Sequence, residues 1–99
     1  GSAKDCIASG GCRFVDCSVS KSVFSHNVIV ESGASVEGSI IMERTRIGRG
    51  AQIRNAIIDK DVLVPPGVRI GIDPEADRAR FKVREGGIAV IPKGYVLQP

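Results

Sequence analysis

Phe24-Ser-His-Asn-Val-Ile29, Val30-Glu-Ser-Gly-Ala-Ser35 and Val36-Glu-Gly-Ser-Ile40 can be written as one line. Beneath it fit Ile41-Met-Glu-Arg-Thr-Arg46, Ile47-Gly-Arg-Gly-Ala-Gln52 and Ile53-Arg-Asn-Ala-Ile57. A third line runs Ile58-Asp-Lys-Asp-Val-Leu63, Val64-Pro-Pro-Gly-Val-Arg69, then Ile70. Aliphatic or Phe residues recur at 24, 30, 36, 41, 47, 53, 58, 64 and 70, in steps of six, six and five. The chain therefore repeats every 17 residues, with expected columns Ile7/Phe24/Ile41/Ile58, Val30/Ile47/Val64 and Val19/Val36/Ile53/Ile70. A fourth column, Cys6/Val23/Ile40/Ile57, keeps the period, and Arg13 breaks it where an aliphatic residue is expected.

Such a period is neither the 3.6 of a helix nor the 2 of a hairpin strand. Each repeat has three short sides, one buried aliphatic per side, and small or turn residues before the next corner. Stacking such coils at the strand spacing of roughly 4.8 Å gives a triangular parallel β-solenoid. An antiparallel sandwich would need the same spacing by coincidence. The fold expected is all-β, a parallel β-helix of hexapeptide repeats with about four coils between residues 6 and 71. Known hexapeptide solenoids are left-handed, so that hand is expected here by resemblance, against the usual right-handed crossover.

At residue 71 the periodicity stops. Asp73-Pro74-Glu75 combines an N-cap acceptor, a first-turn proline and an early acid, which predicts a helix over 74–82. Ala76, Ala79 and Phe81 are available to face the solenoid. Gly86-Gly87 turns the chain into an apolar strand, 88–91, ending at Pro92. Residues 72–99 thus read as a cap, with the tail from Lys93 to Pro99 returning to the solenoid. Gly1-Ser2 reads as a cloning scar and residues 1–5 as a linker.

Composition bounds the function. The 99 residues are 42% hydrophobic, 25% charged and only 4% aromatic, which fits one domain with a small aliphatic core. No apolar run spans a bilayer and no leader pattern opens the chain, so no membrane role is expected. Residues 1–43 carry three basic and five acidic groups, and residues 44–99 carry eleven and six, an asymmetry that points to an anionic partner. Nucleic acid is not expected, because no basic block is interleaved with aromatics. Cys6, Cys12 and Cys17 lack metal-ligand spacing and read as small fillers in a reducing compartment.

No GxGxxG, P-loop or GxSxG element occurs. A metal-dependent hydratase would want several histidines, and His26 stands alone. His26 keeps one alternative open, a free-standing hexapeptide acyltransferase with a histidine at a trimer interface. Asp59 and Asp61 share a strand-length segment without an evident partner base. No catalytic residue and no metal ligand is expected in this chain. A purely structural solenoid is the third alternative.

Ile57-Ile58-Asp59-Lys60, then Val64-Pro65-Pro66-Gly67-Val68-Arg69-Ile70-Gly71, are similar to the carboxyl-terminal domain of bacterial ADP-glucose pyrophosphorylases. So are Asp73-Pro74-Glu75-Ala76-Asp77-Arg78 through Phe81, Gly87-Ile88-Ala89-Val90-Ile91, Ser9-Gly10-Gly11-Cys12 and Ser22-Val23-Phe24-Ser25. The resemblance runs in order from about residue 6 to 97. It implies a cytoplasmic nucleotidyltransferase, glucose-1-phosphate adenylyltransferase, which makes ADP-glucose and pyrophosphate from ATP, with Mg2+, and glucose 1-phosphate for glycogen synthesis. The catalytic amino-terminal domain is absent here, so the fragment itself would be non-catalytic and hold no cofactor. What remains would serve homotetramer assembly and allosteric control by a phosphorylated metabolite. The resemblance carries effector binding onto Lys60 and Lys93, with Arg84 a third candidate near the second segment. Arg44, Arg46, Arg49 and Arg54 suit either a domain interface or a solvated face.

Overall fold

The computed structural model describes residues 2–99. Three parallel sheets form the sides of a prism. The first holds β1 (Ser2–Lys4), β4 (Ser18–Ser20), β7 (Ser35–Glu37), β10 (Gln52–Arg54) and β13 (Arg69–Ile70), in that order. The second holds β2 (Ile7–Ala8), β5 (Val23–Phe24), β8 (Ile40–Ile41) and β11 (Ala56–Ile58), continued by β15 (Ala89–Ile91) and the antiparallel β14 (Lys82–Val83). The third holds β3 (Arg13–Phe14), β6 (Ile29–Val30), β9 (Arg46–Ile47) and β12 (Leu63–Val64). This is a β-solenoid of about four turns with one short helix, α1 (Pro74–Arg80).

The register bears out the columns above the first coil. Val19, Val36, Ile53 and Ile70 stack on one side, Phe24, Ile41 and Ile58 on the second, Val30, Ile47 and Val64 on the third, all buried. The first coil corrects the sequence reading by one residue. Ala8, not Ile7, aligns with Phe24, and Phe14, not Arg13, aligns with Val30. Cys6 likewise leaves the column of Val23, Ile40 and Ile57 to Ile7. The cause is a shortened corner. Asp16 carries the left-handed backbone that Gly33 carries one coil up, and Val15-Asp16 does the work of Glu31-Ser32-Gly33. Arg13 therefore breaks nothing: it lies one residue from the core column, with its side chain exposed. The solenoid also reaches below residue 6, because β1 pairs with β4 through Ser2, Ala3 and Lys4 rather than forming a linker. Gly1 lies outside the described residues.

Polar groups inside the prism are paired. The Ser22 hydroxyl donates to the Ser20 carbonyl at 2.8 Å and accepts the Ser39 amide at 3.1 Å. Ser39 repeats the pattern one coil on, donating to Glu37 and accepting from the Ala56 amide at 3.1 Å. Each buried hydroxyl thus ties a coil to its neighbour, which offsets the cost of leaving it in an apolar interior.

Above the last coil, Asp73 caps α1 as expected, its carboxylate accepting the amides of Glu75 and Ala76. The helix stops at Arg80 rather than 82, because Phe81 is already extended and Lys82 pairs in β14. Of the residues expected to face inward, Phe81 is buried and Ala76 half-buried, but Ala79 is exposed and Asp77 is buried instead. Asp77 accepts the Gly71 amide at 2.9 Å and lies 3.7 Å from the Arg80 guanidinium, so a carboxylate fastens the cap to the last coil. The tail returns as expected, with Val96 bridging Leu63 and Leu97 buried. Of the three free thiols, Cys17 is buried, whereas Cys6 and Cys12 are half-buried at the open end. Burial pushes the Cys17 thiol above its ordinary range.

Candidate functional site

β11 delivers Lys60 to a corner, and β15 delivers Lys93 to the same corner one coil higher. Ile58 pairs with Ile91, and two residues further on the Gly94 amide donates to the Lys60 carbonyl at 3.1 Å. The two lysines are therefore neighbours in a stack, their backbones about 4.8 Å apart by strand spacing. Lys93 lies 33 residues after Lys60 in sequence, and the α1 cap is the detour that brings it back.

Carboxylates share the corner. The Asp59 Oδ1 accepts the Lys60 amide at 2.7 Å and the Lys60 ammonium at 3.1 Å. These bonds, with the charge of Lys60 and then Lys93, hold the Asp59 carboxyl below its ordinary range. Asp61 accepts a bidentate grip from Arg44, one coil below, at 2.6 and 3.2 Å. That hydrogen bond, then the charges of Arg44, Lys93 and Lys60, hold the Asp61 carboxyl below its ordinary range also. Arg44 is in turn held charged, chiefly by its hydrogen bond to Asp61. Both Arg44 and Asp61 have left-handed backbones, with φ of 59° and 61°. Their pairing braces a corner where ordinary residues pay about 1–2 kcal/mol of steric cost each.

The structure thus brings Lys60 and Lys93 together beside Asp59, Asp61 and Arg44. Arg84 stands apart from them. Its amide donates to Ile88 at 2.8 Å and its carbonyl accepts from Gly87, which places it in the turn at the far end of β15. His26 is exposed at the same corner two coils below Lys60, with Glu43 between them. Arg46 and Arg54 pair with Glu31 and Glu37 at 2.9 and 3.2 Å. The Arg44–Asp61 grip was open to the sequence reading, since the two positions differ by one repeat, but each was read alone.

Lysine ammonium groups are donors of the kind that phosphate and carboxylate oxygens accept from, and this corner carries two of them on adjacent coils. The Lys60 ammonium is already shared with Asp59, so an incoming anion competes with that carboxylate. Concavities lie elsewhere on the surface. One of about 350 Å³ runs along the polar face of the first sheet, beside Ser18, Ser35, Gln52 and Arg54. Another of about 270 Å³ lies between Arg13, Arg46 and Arg49. Among the described residues no group of three His, Cys, Asp or Glu side chains converges as a metal site would require. No helix among them is long and apolar enough to cross a membrane.

Residues 1–91 match the family described as GlmU-like, C-terminal hexapeptide. The chain is 48% identical over 97 residues to a glucose-1-phosphate adenylyltransferase of Corynebacterium jeikeium, which covers 98% of this chain and 24% of that relative. It is 47% identical over 98 residues to the enzyme of the same name from an Arthrobacter species, covering 98% and 21%. It is 39% identical over 90 residues to that of Mannheimia succiniciproducens, covering 91% and 21%. The chain therefore spans about a quarter or less of the length of these curated relatives.

Proposed function

The chain belongs to the GlmU-like C-terminal hexapeptide family, and on that premise we propose that it is the regulatory and assembly domain of a glucose-1-phosphate adenylyltransferase. The parent would make ADP-glucose and pyrophosphate from ATP and glucose 1-phosphate, in the cytoplasm, for glycogen synthesis. Nucleotide chemistry and its Mg2+ would belong to the preceding catalytic domain. Here the work is done by contact surfaces and by the lysine corner, within a homotetramer.

The observation that carries this reading is the stacking of Lys60 and Lys93 one coil apart. A phosphorylated metabolite would accept from both ammonium groups and from basic residues of the catalytic domain. Arg84, at the far end of β15, stays outside this pair and would reach such a ligand only from its other side. Charge-assisted hydrogen bonds are worth about 1.5–3 kcal/mol each. Displacing Asp59 from Lys60 takes back part of that, which leaves a coupling in the usual range of about 1–3 kcal/mol. The effector favours whichever arrangement of the two domains brings the two half-sites together.

The test is effector titration of the parent, wild type against Lys60→Ala, across sugar phosphates and glycolytic intermediates. The half-saturating concentration should rise by about tenfold or more, the equivalent of roughly 1.4 kcal/mol. An unchanged activation curve overturns the assignment and leaves Lys60 a solvated corner. The 99-residue chain alone should bind the same metabolites weakly, and calorimetric binding in the micromolar range would contradict a bridged effector.

A further inference from the structure

The structure separates the arginines at 44, 46, 49 and 54 into two kinds. Arg44 is gripped by Asp61 one coil above, and Arg54 pairs with Glu37 one coil below, so each charge meets a carboxylate of its own. Arg46 and Arg49 belong to a different arrangement, on the outer face of the third sheet. There Arg13, Ile29 and Arg46 stand in one outward row, a rung apart. Val15, Glu31 and Gly48 follow in the next outward row, and Ser32 and Arg49 stack at the corner beyond. Gly48 leaves its row without a side chain between Arg46 and Arg49, and a Cβ there would lie 2.6 Å from the Val64 carbonyl oxygen. Arg13, Val15, Ile29, Glu31, Arg46 and Arg49 line the resulting recess of about 270 Å³.

Three guanidiniums meet one carboxylate in this recess. Glu31 accepts from Arg46 at 2.9 Å, and among the described residues Arg13 and Arg49 pair with no carboxylate. Asp16 stands at the foot of the same corner and pairs with neither. The recess therefore holds an excess of two positive charges. At the lysine corner the excess is one, because Asp59 and Asp61 answer Lys60, Lys93 and Arg44. The two places are also apart: Lys60 precedes β12 at one edge of the third sheet, whereas Ser32 and Arg49 follow β6 and β9 at the other.

We propose that this recess binds a phosphate dianion, either free phosphate or the phosphate group of a small ester. Charge selects the ligand. A phosphate group carries about −1.5 to −2 at neutral pH, which matches the excess, whereas a single carboxylate would leave one guanidinium unanswered. Shape agrees with charge. Arg13 and Arg46 lie two rungs apart, about 10 Å, and flank Ile29 from below and above, with Arg49 at the side. Planar guanidinium forks match phosphate oxygens in pairs, and three of them surround one tetrahedral group here. The apolar floor of Val15 and Ile29 thins the water that competes for those bonds. The recess has room for about nine waters, more than the five heavy atoms of a phosphate fill, so the first carbons of an ester fit beside it. All three arginines come from this chain, so the site does not depend on which reaction a parent performs.

The experiment titrates the 99-residue chain with inorganic phosphate and, in a parallel arm, with glycerol phosphate, at an ionic strength held constant with sodium chloride. The arginine Nε–Hε signals are followed by NMR. Those of Arg13, Arg46 and Arg49 should move together and saturate. Arg13→Gln and Arg49→Gln should each weaken binding about tenfold, the loss expected of one charge-assisted contact. Both side chains are exposed, so the Tm of each variant should stay at the wild-type value. Glu31→Gln should tighten binding by releasing Arg46, and Lys60→Ala should leave the curve in place. Tighter binding of glycerol phosphate assigns the recess to the phosphate group of a metabolite, and a preference for inorganic phosphate assigns it to the free ion; either fulfils the proposal. Shifts that never saturate, or that Lys60→Ala removes, overturn it. So does acetate saturating the same signals at the same concentration, which would leave no selection for a dianion.

Discussion

The two ends of the prism are built from the same columns and fare differently. At the upper end Ile58, Val64, Ile70 and Ile91 are fully buried beneath the α1 cap and the returning tail. At the lower end Ala8 and Phe14 occupy the same columns, yet Ala8 is exposed and Phe14 is 38% exposed. Phe14 still meets Phe24 edge to face, with centroids 5.0 Å apart. A solenoid core is therefore a property of having a neighbour on both sides. The pattern of a single coil points a side chain inward, and only the next coil removes it from water.

The sharpest way to break the upper end is Gly71→Ala. Gly71 has a φ of 80°, and an added Cβ would collide with the Arg54 carbonyl, where backbone cannot step aside. We expect a loss of about 3 kcal/mol or more, read by urea unfolding. Gly50→Ala is the control, with φ of 70° but open space around the new methyl, and should cost only about 1–2 kcal/mol. Next comes a direct comparison of columns. Ile41→Ala at a fully buried site should cost about 2–5 kcal/mol. Phe14→Ala removes a larger side chain and should cost less than Ile41→Ala, about 2 kcal/mol or below, because water already reaches that ring. Equal losses would mean the lower end is covered in solution. The smallest effect is electrostatic. Asp61 has a lowered pKa through its bond from Arg44, so its contribution is present above the ordinary carboxylate value of about 3.9. It is lost as pH falls through the depressed folded value. The small Tm deficit of Asp61→Asn at neutral pH should therefore begin to shrink only below about pH 4 and vanish once pH has fallen through the depressed folded value.

The repeat was legible because each side buries one principal aliphatic, and three residues in the same column leave little room for another register. The first coil misled because Ile7 outranks Ala8 in hydrophobicity, and because a corner lost one residue without leaving a mark. Phe14 beside Arg13 was the available sign. The helix start followed from Asp73 and Pro74. Its end did not, since nothing local distinguishes Lys82 in a helix from Lys82 in a two-residue strand. Asp77 was passed over for Ala79 because a carboxylate is seldom turned inward, and the amide that holds it, Gly71, belongs to a different part of the chain. Lys60 and Lys93 came from family resemblance. Their adjacency is a matter of where β15 docks, which spacing alone does not contain.

The hydroxyl relay from Ser22 through Ser39 to Ala56 carries a consequence for how such a chain can change length. Removing Gly38 to Arg54, 17 residues, would join Glu37 to Asn55, two positions already one coil apart in the stack. Ser22 would then accept the Ala56 amide as it now accepts that of Ser39, and every inward column would keep its partners. Removing one residue from a side would instead orphan a buried hydroxyl and turn the rest of that side inside out. Growth and loss in this molecule come in whole turns, with single residues negotiable only at corners such as Val15-Asp16.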